Sequence, residues 1–369
     1  MDPGRVPATL TPERAALQQD RFDPAPAQRR RALAGLLALP LATWATPLQA
    51  QGRTLAVARG ERLDRAVAAA ADGDTIELEA GDHHAQTALV LQRRLVLRCP
   101  AGRAVLHADG AHAEGKALIV VRQGDVRIEG LEFRGARVPD GNGAGIRFER
   151  GRLQLLRCRF LDNENGVLTS NLPGAELRIE DCEFGLAPRH PGSLHHLLYV
   201  GRIARLRVER SRFSGGWRGH LLKSRAAHNE ILCNHLADGD QGEASYEIDL
   251  PNAGQAWVLG NVIAQGPRPQ NHALLAYGAE GPMHAESRLI VAHNHFVNES
   301  GAPAAFIRSW PARLPAGAAM RIEHNRFYGA ADAQSWGRSE DGNRLLALGA
   351  WLRDPQAPDC TRAMTYRGV

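Results

Sequence analysis

Aromatic residues make up only 5% of this 369-residue chain, and no block of basic residues interrupts it. A protein that stacks bases on rings or tracks phosphates needs one or the other, so nucleic acid is not an expected partner. Lysine is almost missing: of 45 Lys+Arg, only Lys116 and Lys223 are lysines. The five cysteines include no CxxC pair, the usual spacing of a zinc or redox site. No apolar run is long enough to span a bilayer comfortably. Charge of one sign is lacking as well. The formal net charge is +5, and past residue 50 the balance is 39 Lys+Arg against 36 Asp+Glu.

The N-terminus has its own character. Arg29, Arg30 and Arg31 precede the apolar run ALAGLLALPLATWAT, which ends in PLQA at Ala50. A charged segment, a short apolar stretch and a small residue before cleavage form an export signal. Residues 1–50 are therefore expected to be removed on the way to the periplasm or the medium. The arginine run after a long polar leader resembles a bacterial twin-arginine signal; a Sec-type signal is the alternative.

The rest is a repeat. The signatures RCRF (157–160), DCEF (181–184), RSRF (210–213), CNHL (233–236), GNVI (260–263), HNHF (293–296) and HNRF (324–327) recur, with GLEF (130–133) as a looser copy. Their closing apolar residues run from Phe133 to Phe327 at spacings of 23 to 33 residues. Short alternating stretches such as VRIEG and LRVER stand before them and read as strands. Coils of this length with two or three short strands predict an all-β fold, a parallel β-helix over residues 51–335. Residues 336–369, with LLALGAWL at 345–352, are expected to be a capping tail.

One column marks the register. Two residues before each closing apolar residue stand Cys158, Cys182, Ser211, Asn234, Asn261, Asn294 and Asn325. Asn tolerates the left-handed backbone, and its amide both donates and accepts, so stacked copies form a ladder. The same column puts Cys158 and Cys182 in adjacent coils, about 4.8 Å apart and within disulfide range.

This asparagine column resembles the ladder of right-handed parallel β-helices of the pectate lyase-like superfamily. The segment GERLDRAVAAAADGDTIEL resembles the same superfamily's N-terminal capping helix, near 61–71, leading into the first strand. The resemblance spans most of 54–330.

A second strand series carries the candidate chemistry: HLLYVG (196–201), HLLKSR (220–225), YEIDLP (246–251), ALLAYG (273–278) and AFIRS (305–309). Alternation in YEIDL predicts Ile248 and Leu250 inside and Glu247 and Asp249 outside. Alignment puts Tyr199, Lys223 and Asp249 in one outward column, with Arg225 beside it and Arg308 two coils on. Lys223 is the candidate base, because lysine, unlike arginine, can shed its proton when a nearby cation lowers its pKa. Arg225 is the candidate neutraliser of a substrate carboxylate, Tyr199 the acid, and His220 a further catalytic candidate. His196, Tyr277 and Arg308 are expected to bind substrate. As an exposed residue, Lys223 is expected to tolerate substitution by arginine with little loss of stability.

The fragment LLKS resembles the lysine-bearing strand of the alginate lyase and chondroitinase B branch, which implies β-elimination on a uronate polysaccharide. In that branch a catalytic arginine follows one coil later; here Asp249 stands there. Glu247 and Asp249, in the acid-rich run ADGDQGEASYEID, are candidate Ca²⁺ ligands. Alternatively the same two carboxyls make a glycoside hydrolase pair, or the strip only binds carbohydrate. The expected partner is an acidic, uronate-containing polysaccharide, met by a monomer with no membrane contact after export.

Overall fold

The computed structural model describes residues 52–190, 194–332, 341–355 and 357–366. The expected export segment lies outside them. All the described residues belong to one compact unit.

The described strands form three wholly parallel sheets. Apart from the two ends, each coil supplies one strand to each sheet in the order C, A, B. The coil of Asp125–Glu129 is typical, with Ala117–Val121 in sheet C before it and Leu131–Arg134 in sheet B after it. Sheets A and B have eleven strands each and sheet C nine. This is the parallel β-solenoid that the repeat implied.

The register is that of the repeated signature. Phe133, Phe160, Phe184 and Phe213 are paired in sheet B, coil on coil. Their rings stack at centroid separations of 4.9, 4.8 and 4.7 Å. Leu236, Ile263, Phe296 and Phe327 continue the column. Burying one apolar residue per coil at a fixed position is what makes a solenoid core continuous.

The polar column is a ladder with a consistent direction. Each side chain accepts from the backbone N–H of its counterpart one coil earlier: Ser211 Oγ from Cys182 N at 3.1 Å, Asn234 from Ser211 at 2.9 Å, Asn261 from Asn234 at 2.8 Å and Asn294 from Asn261 at 2.9 Å. Asn325 and then Asn343 extend it. The left-handed residue is not the asparagine, as expected, but the one before it: Arg157, Asp181, Arg210, Cys233, His293 and His324 all have φ between 49° and 56°. That turn aims the next side chain inward, where it satisfies a corner amide that no strand reaches.

Cys158 and Cys182 do meet, with Cys158 N donating to Cys182 Sγ at 3.4 Å. Both remain free thiols: Cys182 Sγ accepts from Cys158 N, and both thiols donate to backbone carbonyls along the core wall. The disulfide joins Cys233 to Cys360 instead.

A short helix, α1, spans Leu63–Ala69, with Leu63 and Val67 buried. Its caps come from the next coil. Gln86 Oε1 accepts from Leu63 N at 2.8 Å, and Gln92 Nε2 donates to Val67 O and Ala70 O.

The tail combines a strand with two helices. Arg344–Leu346 adds a last strand to sheet B. Helix α2, Leu348–Arg353, packs Trp351 on the outer face of that sheet, beside Val297 and Tyr328. Helix α3, Cys360–Thr365, lies on the outer face of sheet A against Leu232, Leu259 and Ile290. Those outer faces are apolar, so the tail is drawn sideways by surface it can bury.

Candidate functional site

Sheet C carries the expected row. Tyr199 pairs with Lys223 and Lys223 with Asp249, followed by Ala276 and Arg308. The row is not a solvated strip. Lys223 is 8% exposed and Asp249 1%.

What covers them is the loop after Tyr277, which brings Glu280 over the row. Lys223 Nζ lies 3.3 Å from Asp249 Oδ2 and 3.1 Å from Glu280 Oε1. Arg225 donates to the other oxygen of Glu280, to Tyr199 Oη at 3.2 Å through Nε, and to Asn252 Oδ1 at 2.8 Å. Asn252 also holds the loop, donating to the carbonyls of Glu280 and Pro282. Two cations, two carboxylates, a phenol and an amide thus form one connected network.

The network reverses the expectation for Lys223. Burial pulls its pKa down, as does Arg225, but Asp249 and Glu280 outweigh both and hold it above the ordinary lysine value. Lys223 is an ammonium at neutral pH, not a base. Asp249 carries the strain of the arrangement. Burial pushes its pKa up to about 6, against the opposing pull of Lys223, and its Oδ1 has no hydrogen-bond partner.

His220 is also unsuited to be the base. Its Nδ1 accepts from Tyr246 N at 3.1 Å, and Nε2 faces Asp249 Oδ2 at 3.3 Å. With one nitrogen accepting and the other facing a carboxylate, no lone pair is left for a substrate proton. Burial, then His196 and the two cations, keeps the ring neutral by pulling its pKa well below 6.5. His196 repeats the geometry one coil earlier, accepting from His220 N at 2.9 Å. The rings of His196, His220 and Tyr246 stack at 4.9 Å intervals along the edge of the row.

Two expected binding residues stand apart. Tyr277 pairs with Leu250 in the inward column and is fully buried. Its hydroxyl donates to Gly254 O at 2.6 Å, which removes it from any sugar. Arg308 is in the outward column, but the small Ala276 separates it from Asp249, and its guanidinium lies 5.2 Å from the Trp310 ring centroid.

Glu247 is a further correction. The expected alternation ran one residue beyond the strand Ile248–Leu250, into the corner where the chain turns inward. Its neighbours in that column are Leu221 and Leu274, one residue before the pairs of Ile248 with Leu222 and Leu275. Both carboxyl oxygens are buried without a partner. Burial drives the pKa far above the ordinary value, and the nearby Asp238 carboxyl adds to this.

A hydrolase pair on one face is therefore not formed. The same geometry does not fit Ca²⁺, which needs six to eight converging oxygens. Glu247 points into the core, and Asp249 Oδ2 already faces an ammonium. Asp238, from the same acid-rich run, spends its oxygens on Gly216 N and Ala244 N, at 2.6 and 2.7 Å.

Glu247→Leu is expected to stabilise the protein by about 1–3 kcal/mol, the cost of burying a polar group without a partner. The native state holds the Glu247 proton more tightly than the unfolded chain does. Wild-type stability is thus lost as pH rises above the ordinary carboxyl range of about 4.3, and the variant's advantage should grow from about pH 5 to about pH 8. Urea unfolding of both proteins at the two pH values measures this; equal stability at both would show that the carboxyl finds a partner.

The sequence offers Glu280 in QNHALLAYGAEG without placing it over the row, and it singles out neither Asn252 nor Tyr246. Glu280 comes from a loop 57 residues beyond Lys223, in a segment without repeat periodicity. The one available signal was the length of that coil. No protein-family model matches the chain, and no curated protein matches it.

Proposed function

We propose that this chain is an exported carbohydrate-active β-helix protein of the pectate lyase-like superfamily, and that it cleaves a uronate polysaccharide by β-elimination. A β-helix fold is consistent with a carbohydrate-active protein. The observation that carries the finer reading is the contact of Arg225 Nε with Tyr199 Oη beside Lys223. It places a phenol between two fixed cations on an outward sheet face.

In this reading Arg225 and Lys223 neutralise the uronate carboxylate and stabilise the charge that develops as its neighbouring carbon loses a proton. Glu280 holds their place until the substrate's own carboxylate arrives. Tyr199 handles the protons, since its hydroxyl oxygen is fixed by Arg225 and the residue is only partly buried.

A second reading, carbohydrate binding without turnover, is favoured by the complete internal pairing of Lys223 and Arg225. One experiment separates the two: ultraviolet absorbance of the unsaturated product across alginate, pectate, glucuronan and glycosaminoglycans. Tyr199→Phe is expected to lower kcat on the responsive polymer by about 10²–10⁴-fold while binding persists. Glycan binding with no product from the wild type would leave only the second reading. A fully active Tyr199→Phe would remove the phenol from the mechanism.

A further inference from the structure

Far from this row, the outer face of sheet B carries four ligand-type side chains on two adjacent coils. The strands Gly81–His83 and Ala104–His107 are paired, with His83 opposite Leu106. The next residues, His84 and His107, therefore face each other. Their imidazoles stack at 4.8 Å with an interplanar angle of 14°. Asp82 stands two residues before His84, and Asp109 two residues after His107.

The carboxylates cross over between coils. Asp109 Oδ2 lies 2.8 Å from His84 Nδ1, and Asp82 Oδ1 lies 2.8 Å from His107 Nε2. Ligand atoms of His84, His107 and Asp109 all fall within 4.8 Å of one another.

From this geometry we infer that His84, His107 and Asp109 form a binding site for a divalent transition-metal ion of the Zn²⁺ class, with Asp82 orienting His107. Two imidazoles and a carboxylate are a donor set suited to Zn²⁺, Cu²⁺ or Ni²⁺ and poor for Ca²⁺. Ligand atoms sharing a tetrahedral Zn²⁺ stand about 3.3 Å apart, given bonds of about 2.0–2.2 Å. Rotation of exposed side chains achieves that from the present spacing. The Asp82 contact fixes the His107 tautomer and leaves Nδ1 for the metal, the usual role of a carboxylate behind a ligating histidine.

Backbone pairing in the solenoid holds the two histidines in register whether or not a metal is bound. Arg134 follows His107 in the column, but it is paired with Glu132, which limits its repulsion of an incoming cation. The site is separate from the Tyr199–Lys223–Asp249 row, which is built on another sheet, and needs no part of its chemistry.

The test is titration calorimetry of the full chain with ZnCl₂ near neutral pH. One equivalent is expected to bind, and His84→Ala/His107→Ala should abolish that event. Asp82→Asn should weaken it by roughly 10–100-fold, as loss of a supporting carboxylate does. Electron paramagnetic resonance with Cu²⁺ should show two nitrogen ligands in the wild type and none in the double variant. His84 is exposed and His107 only partly buried, both outside the core, so circular dichroism should be unchanged. No saturable binding to the wild type, or equal binding by the double variant, would overturn the inference.

Discussion

Lys223→Met should destabilise the protein by about 3–5 kcal/mol, the cost of leaving a buried charge without its partner. The substitution removes the ammonium 3.3 Å from Asp249 Oδ2 and fills the space with a side chain of similar length. Asp249 would stay in a site where its side chain is 2% exposed. Alternation alone placed Lys223 on an exposed face, and it is the burial of the residue at 8% exposure that makes loss of its charge costly.

The pH dependence follows from Asp249. Its native pKa is about 6, above the unfolded value of about 3.9. The native state therefore holds the proton more tightly, and the stability linked to Asp249 is lost as pH rises from about 4 to about 6. Without Lys223 the carboxyl loses its main attraction and titrates still higher. The deficit of Lys223→Met should thus be small near pH 4 and large near pH 7. Urea unfolding at both values checks this, and an equal deficit at the two would show that Asp249 is not the group left behind. Lys223→Arg keeps the charge but brings a planar fork into a place shaped for a compact ammonium, so its defect should appear in turnover more than in stability.

Phe184→Ala should cost a comparable 3–5 kcal/mol, roughly the range for truncating a buried phenylalanine. The ring lies between Phe160 and Phe213 in the stack. Across the core it rests on Gly166, where an added Cβ would come within 2.7 Å of the ring. The large residue on sheet B and the absent side chain on sheet C are complementary, so the cavity would open between two coils with nothing nearby to fill it. Phe184→Leu, which keeps most of the volume, should cost clearly less. A denaturation midpoint for Phe184→Ala within error of wild type would mean that the coils close over the gap.

What the sequence by itself determined is whatever the repeat writes once per coil. The Phe133–Phe327 column, the Cys158–Asn325 ladder and the Tyr199–Lys223–Asp249 row all follow from parallel pairing, because it stacks like position on like position. Periodicity says which residues share a column. It does not say how deep that column lies.

Depth was decided by parts outside the repeat. The loop bearing Glu280 covers Lys223 and Arg225 and so holds as cations the two groups from which proton transfer or open carboxylate binding was expected. At Glu247 the chain bends inward, and strand alternation cannot indicate where a strand gives way to a corner. The tail settled on the outer faces of sheets A and B because Leu259, Ile290 and Val297 offered apolar surface there. Local pattern sets register through the regular geometry of the strand, whereas burial and charge state depend on what the rest of the chain lays over it.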